Sequence, residues 1–285
     1  MQRKLGAALA LAVALVAPAA AAEAPARIAW TTSFAAALAK ASASRKPLMV
    51  EFWAQWCGWC HVLERTTFAD ADVVRLARDF VTVRIDTEGA PDQVQVAERY
   101  GITGLPTILF LSPSGRTVLT VPGYQKAAQF AKTLQVARQQ STQVTGWESA
   151  IAARPDDADA LLRLGLHALD TDSVDDAREL LARAYRADAK LPTADRKHLR
   201  LVLGAIRGVE HKYAESEALL KEGLALMPGD AENDPQMLLT LGRMYASWGK
   251  PADADASLKR LVREHPRSLA AERAKQLLAY LAAQK

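Results

Sequence analysis

The chain is poor in cysteine: Cys57 and Cys60 are the only two in 285 residues. Exported cysteines usually staple loops, but two cysteines make at most one bridge. A bridge across two intervening residues closes too small a loop to constrain much of the unfolded chain, which makes the pair chemical rather than structural. Histidine is scarce too, and His61, His167, His198, His211 and His265 show no metal-binding spacing. An excess of one charge is also missing. There are 36 Lys and Arg against 32 Asp and Glu, so net charge points to neither nucleic acid nor an anionic membrane as a partner. Long apolar runs are confined to the start. MQRKLGAALALAVALVAPAAAAEA has Arg3 and Lys4, an apolar run from Leu5 to Ala17 and small residues up to Ala22. This pattern predicts a cleaved signal peptide over 1–22, because the run is shorter than the roughly 20 residues of a membrane span. The remaining chain is expected to be soluble and exported, to the periplasm if the source is bacterial, and to need no cofactor.

What is present falls into two parts. From about 25 to 140, strand-like runs (PLMVEFWA, FVTVRID, ITGLPTILFL, TVLTVPGY) alternate with helical patterns, and QKAAQFAKTLQVARQQ reads as a closing helix. That order predicts an α/β sheet with helices on both faces. From about 145 to 285 the strand signal stops. Leu164-Gly165, Leu203-Gly204 and Leu241-Gly242 recur, each leucine followed 17 positions later by another: Leu181, Leu220 and Leu258. Glycine inside a helix costs about 1 kcal/mol relative to alanine, so its recurrence predicts close approach of two helices at each point. Pro155, Pro192, Pro228 and Pro266 punctuate the same segments. The pattern resembles the tetratricopeptide family, which implies stacked helix pairs closed by a capping helix over SLAAERAKQLLAYLAAQ.

Within the first part, WCGWCH admits two readings. Cys57, Cys60 and His61 spell the attachment signature of a c-type haem, and the same cysteines spell the C-x-x-C of a thiol–disulfide enzyme. The motif follows an apolar strand, which leaves little room for a porphyrin. It would place Cys57 at a helix N-terminus, where unpaired N–H groups stabilise a thiolate, with Cys60 one turn further in.

EFWAQWCGWC and, some 45 residues on, GITGLPTILFL together resemble the thioredoxin family, and TTFADADVV with GLPTILF resembles more narrowly the C-terminal thioredoxin domain of the periplasmic reductase DsbD. The resemblance settles the reading in favour of the dithiol. It implies that Cys57 and Cys60 form a redox-active disulfide, that Pro106 is the family's cis-proline, with Leu105 beside it, and that Glu51, the lone charge in PLMVEFWA, is the buried acid exchanging a proton with Cys60. Glu64 matches a second acid, otherwise reading as a solvated glutamate, and His61 reads as a partly exposed helical residue. Trp56, Gly58 and Trp59 are expected to form the substrate-facing surface. The expected function is a disulfide reductase acting on disulfide-bonded exported proteins, fed by a membrane dithiol donor, with a protein or peptide ligand on the repeats and no nucleic acid. The rival readings are a repeat-based adaptor with a redox-sensitive latch, and a disulfide oxidase or isomerase on the same scaffold.

Overall fold

A computed structural model describes residues 27–283; the stretch 1–22, expected from the sequence to be a signal peptide, lies outside them. The first part is a four-stranded sheet of β1 (Leu48–Trp53), β2 (Val81–Asp86), β3 (Thr107–Leu111) and β4 (Thr117–Pro122), in the order β2-β1-β3-β4. β1 and β2 are parallel, and the other two pairings are antiparallel. Helices cover both faces, as the buried central strands β1 and β3 require. On one face Leu48, Val50 and Phe52 pack with Phe34, Ala37 and Ala41 of α1 (Phe34–Ser44) and with Ala97 of α4 (Pro91–Arg99). On the other, Met49, Ile108 and Phe110 pack with Leu63 of α2 (Gly58–Thr66), Val73 and Val74 of α3 (Ala71–Ala77), and Phe130 and Leu134 of α5 (Ala127–Ala153).

The closing helix does not stop near Gln140 as the sequence suggests, so the boundary expected at 140–145 falls inside α5. Its apolar stripe continues through Val144, Trp147 and Ile151, which pack in the same core as the first repeat helices. Helical spacing over that stretch outweighs the weak formers Thr142, Thr145 and Gly146. One helix therefore serves both halves.

The remainder is helical: α6 (Ala158–Asp170), α7 (Val174–Arg186), a 3-10 turn at Asp188–Lys190, α8 (Thr193–Val209), α9 (Tyr213–Leu226), α10 (Asp234–Ser247), α11 (Pro251–Glu264) and α12 (Leu269–Ala283). α6 packs on α7, α8 on α9 and α10 on α11. A Cβ on Gly165 would lie 2.7 Å from Leu181 Cγ, one on Gly204 2.7 Å from Leu220 Cγ, and one on Gly242 2.5 Å from Leu258 Cδ2. These are the leucines found 17 positions after each Leu-Gly. Each repeat closes on the same glycine–leucine contact, which a methyl group would obstruct. No helix among the described residues is long and apolar enough to cross a membrane.

Strand direction fixes where the halves meet. β1 runs from Leu48 toward Cys57, while Leu48 pairs with Leu111 and Leu111 with Thr117, so the β3–β4 turn lies at the pole away from the cysteines. The repeats dock at that pole. His167 Nε2 of α6 is 3.0 Å from the Thr117 carbonyl oxygen, and Arg116 pairs with Glu148 of α5 at 3.2 Å and with Asp176 of α7. α5, roughly 40 Å long at 1.5 Å per residue, starts near the cysteine pole and carries the chain past the opposite one.

Candidate redox site

Cys57 and Cys60 form a disulfide with Cα atoms 5.3 Å apart. β1 ends at Trp53 and Cys57 caps the N-terminus of α2; the Cys60 backbone N–H donates to Cys57 Sγ at 3.1 Å. Both cysteines are buried. The first unpaired turn of a helix thus meets the sulfur of Cys57, the placement that favours a thiolate once the bridge is reduced.

The two tryptophans flank this turn as exposed surface. Trp56 is 67% and Trp59 61% exposed, and Gly58 between them is exposed as well. Two large aromatic groups left in water beside a reactive bond make a contact surface rather than a core. Each is held in place by a residue that the sequence reading missed. Trp56 Nε1 donates to Glu88 Oε1 at 2.8 Å, and Trp59 lies 5.5 Å, centroid to centroid, from Tyr124. Tyr124 follows β4 in the segment where Gly123 N–H donates to the Pro106 carbonyl at 2.7 Å. The Leu105–Pro106 peptide bond is cis. Pro106 is buried and Leu105 partly buried against the α1–α4 face. Both precede Thr107, which pairs with Phe52, so they lie at the same end of the sheet as the cysteines.

Glu51 is fully buried in the middle of β1. With Met49 and Trp53 it faces the side of the sheet that α2 covers, as alternation along a strand requires; Met49 shares a core with Leu63, and Trp53 meets the His61 ring edge-on at 6.3 Å. Its partner is Arg84, directly opposite in the β1–β2 register, with Nε 2.8 Å from Glu51 Oε2. The approach is close but off the hydrogen-bond axis, and Glu51 Oε1 has no hydrogen-bond partner among the described residues. Burial pushes the Glu51 carboxyl up to about 7; the Arg84 charge opposes this, and Glu64 adds to it. Arg84 also reaches Glu64 Oε2 with Nη2 at 3.3 Å, and its guanidinium lies 4.2 Å over the Trp53 ring. Glu64 is half exposed and tied to this cluster, not freely solvated.

Arg84 carried one overlooked signal. LMVEFW holds its one charge, and VTVRID its one basic residue, at the fourth position, and in-register parallel pairing brings those two together. Glu88 carried none. His61 is partly exposed, as expected, and Nε2 donates to the Gln55 carbonyl at 2.9 Å, which fixes the proton on that nitrogen. No group of three or more His, Cys, Asp or Glu among the described residues is arranged to hold a metal.

A family model described as a thioredoxin-like domain matches residues 34–138. Proteins named thiol:disulfide interchange protein DsbD are similar to about a third of the chain. That of Pseudoalteromonas atlantica is 37% identical over 97 residues, 33% of this chain and 16% of the relative, and that of Colwellia psychrerythraea 38% over 96 residues, 32% and 16%. The chain thus spans about a sixth of the length of these curated relatives. Similar solved structures include a thioredoxin from Thermus thermophilus (29% identity, TM-score 0.35, 38% of this chain and 85% of that one) and the oxidised C-terminal domain of DsbD from Neisseria meningitidis (22% identity, TM-score 0.35, 39% and 100%).

Proposed function

With residues 34–138 a thioredoxin-like domain that carries the Cys57–Cys60 disulfide of a thiol–disulfide oxidoreductase, we propose that this protein works in the reducing direction on disulfide-bonded exported proteins in the periplasm. The observation that carries the reading is the disulfide itself, set at the start of α2 between two exposed tryptophans. In the reduced protein the Cys57 thiolate attacks a substrate disulfide, expels one substrate thiolate and forms a mixed disulfide. Cys60 passes its proton to Glu51 and attacks Cys57 Sγ, which releases the second substrate sulfur and closes the Cys57–Cys60 bond. Two electrons move from the dithiol to the substrate. A donor dithiol, membrane-held in this reading, returns them by the reverse exchange. Trp56, Trp59 and the Leu105–Pro106 segment form the apolar surface against which the substrate chain lies.

Two measurements test this. Cys57→Ser should abolish reduction of a model disulfide, and Cys60→Ala should accumulate mixed disulfides on Cys57. Equilibration against glutathione decides direction: a potential near the roughly −270 mV of thioredoxin supports a reductase, and one near the roughly −120 mV of DsbA overturns it in favour of an oxidase.

The repeats are proposed to bind a protein or peptide, because stacked helix pairs present an extended surface of that kind. Docking of α6 and α7 at the pole away from Cys57 favours a second reading of their role, in which they tether the redox domain to a donor or complex instead of presenting substrate. Reversing the exposed Arg163 and Arg243 on the first helices of two pairs (R163E/R243E), in the Cys60→Ala background, separates the two. Loss of trapped substrates supports presentation, and an unchanged set supports tethering.

A further inference from the structure

β2 is an edge of the sheet, and the stretch before α1 covers only part of its outer side. Thr31 N–H donates to the Thr82 carbonyl at 3.1 Å, Arg84 N–H to the Thr31 carbonyl at 2.8 Å, and Thr82 Oγ1 to the Ala29 carbonyl at 2.6 Å. α1 lies on one face of the sheet and α3 on the other, and at this edge a cleft of about 390 Å³ opens between them. Its wall includes Val74 and Phe80, both buried, and Trp30, which is partly exposed and held against Phe68 with ring centroids 5.3 Å apart. Arg27, Lys40 and Arg78 also line it, all exposed and drawn from three separate stretches of chain: before α1, within α1 and at the end of α3. Asp79, next to Arg78 in sequence, pairs instead with Arg138 at 2.7 Å, and among the described residues no acid lines the cleft. Helix ends attract cations on their own account, but the end of α3 is served by Lys46, whose Nζ donates to the Arg78 carbonyl at 3.1 Å. Three basic residues thus converge on an apolar cleft with no counter-charge in its lining.

We infer that this cleft binds a small amphipathic anion, a carboxylate on an apolar body. Ligand sites are concave and largely apolar, span roughly 300–1,000 Å³ and orient their ligand through a few charged groups. A cleft lined by charge of one sign also concentrates ions of the other. The cations at the mouth meet the carboxylate, and the apolar body lies against Trp30. A wholly polar anion would leave that wall wet, and a neutral apolar molecule would leave the cations without a partner. The cleft is separate from the redox site. Val81 at the start of β2 pairs with Leu48 at the start of β1, whereas the cysteines follow the far end of β1, so the bound molecule does not touch the disulfide.

The test titrates the full-length, nitrogen-15-labelled protein with octanoate and follows backbone amide signals. Those of Trp30, Lys40 and Arg78 should shift saturably while that of Cys60 stays. Butanoate should bind at least about tenfold more weakly, because each buried methylene favours binding by roughly threefold. Octanamide, of the same length without the charge, should bind about tenfold more weakly as well, the combined scale of two exposed charge pairs. Lys40→Gln and Arg78→Gln should each weaken octanoate roughly threefold, and Ala36→Trp, at the exposed edge of the cleft, should block it. All three variants should reduce a model disulfide at the wild-type rate, which also shows that they are folded. Shifts that never saturate overturn the inference, and so does octanamide or butanoate binding as tightly as octanoate, or an unchanged affinity in the Lys40→Gln/Arg78→Gln double variant. Binding to phosphatidylglycerol vesicles without binding of free octanoate overturns it in favour of a membrane surface. Binding of octanoate only after Glu23→Gln overturns it in favour of the chain's own residues ahead of Arg27.

Discussion

Among the described residues each half of the molecule buries one charged side chain to 0% exposure, Glu51 in the sheet and Lys197 in the repeats, and their surroundings differ. Lys197 on α8 donates to the Met227 carbonyl at 2.5 Å, pairs with Asp234 at the start of α10 and has Asp230 at 3.6 Å. Glu51 has Arg84 alone, off the hydrogen-bond axis, and neither of its oxygens has a hydrogen-bond partner among the described residues. The surrounded charge binds α8 to the α9–α10 turn. The under-partnered one is held up to about 7, where a proton can come or go at neutral pH. A buried charge with several partners makes a fastener, and a buried carboxyl with a single off-axis partner makes a group that takes up its proton near neutral pH.

The largest expected effect breaks the fastener. Lys197→Ala leaves Asp234 and Asp230 buried without their cation and should destabilise the repeats by roughly 3–5 kcal/mol, read as a lower denaturation midpoint in urea. Glu51→Gln tests the other charge through pH. The folded group binds its proton up to about 7, whereas the unfolded group releases it near 4.5, so between those values the native state holds a proton that the unfolded state has lost. Stability should therefore fall as pH rises through that window and level off beyond it. The fall should be on the order of 3 kcal/mol, since each tenfold difference in proton affinity between the two states is worth about 1.4 kcal/mol. Glu51→Gln should flatten it, and a slope unchanged between pH 4.5 and 7 would sink the account of Glu51.

Smaller changes sharpen the contrast in packing. Gly242→Ala sets a methyl against Leu258, which is fully buried and cannot swing outward. Overpacking of about 1–3 kcal/mol exceeds the gain of about 1 kcal/mol in helix propensity, so the thermal midpoint should drop. Gly146→Ala in α5 meets open space and should stabilise by about 0.5–1 kcal/mol. A rise for both, or a fall for both, would break the assignment of Gly242 as a contact glycine. Smallest is Arg116→Ala at the junction. Its partners Glu148 and Asp176 are 21% and 54% exposed, so the pairs are worth about 1 kcal/mol at most. Because α5 still joins the halves, calorimetry should continue to show one unfolding transition. Two separate transitions would show that the pairs at Arg116 carry the coupling.

Local chemistry and periodic spacing were legible in the residues alone. Cys57 and Cys60 had no other cysteine to pair with, and the strand before them with the helix after them set the disulfide at a helix start. Glu51 stood alone in an apolar strand and is buried there. The Leu-Gly pairs and the leucines 17 positions later named the three contacts that close the helix pairs, because position along two consecutive helices sets which residues meet. The full length of α5 was not legible in the residues alone, because Thr142, Thr145 and Gly146 are weak helix formers and the apolar stripe from Leu134 to Ile151 needed α6 to show its purpose.

Three features belonged to the tertiary structure alone, and all depend on which distant segments pair. Arg84 meets Glu51 only because β2 lies parallel to β1 in that register; a slip of one residue would turn the charge to the other face. Glu88 and Tyr124 reach Trp56 and Trp59 across 32 and 65 residues of chain. The placement of the repeats away from the cysteines follows from strand direction in the sheet, which no spacing along the chain encodes. Side-chain type and period determine what each segment is and which face it buries, whereas the pairing of strands far apart in sequence decides which charges share a site and which pole each half occupies.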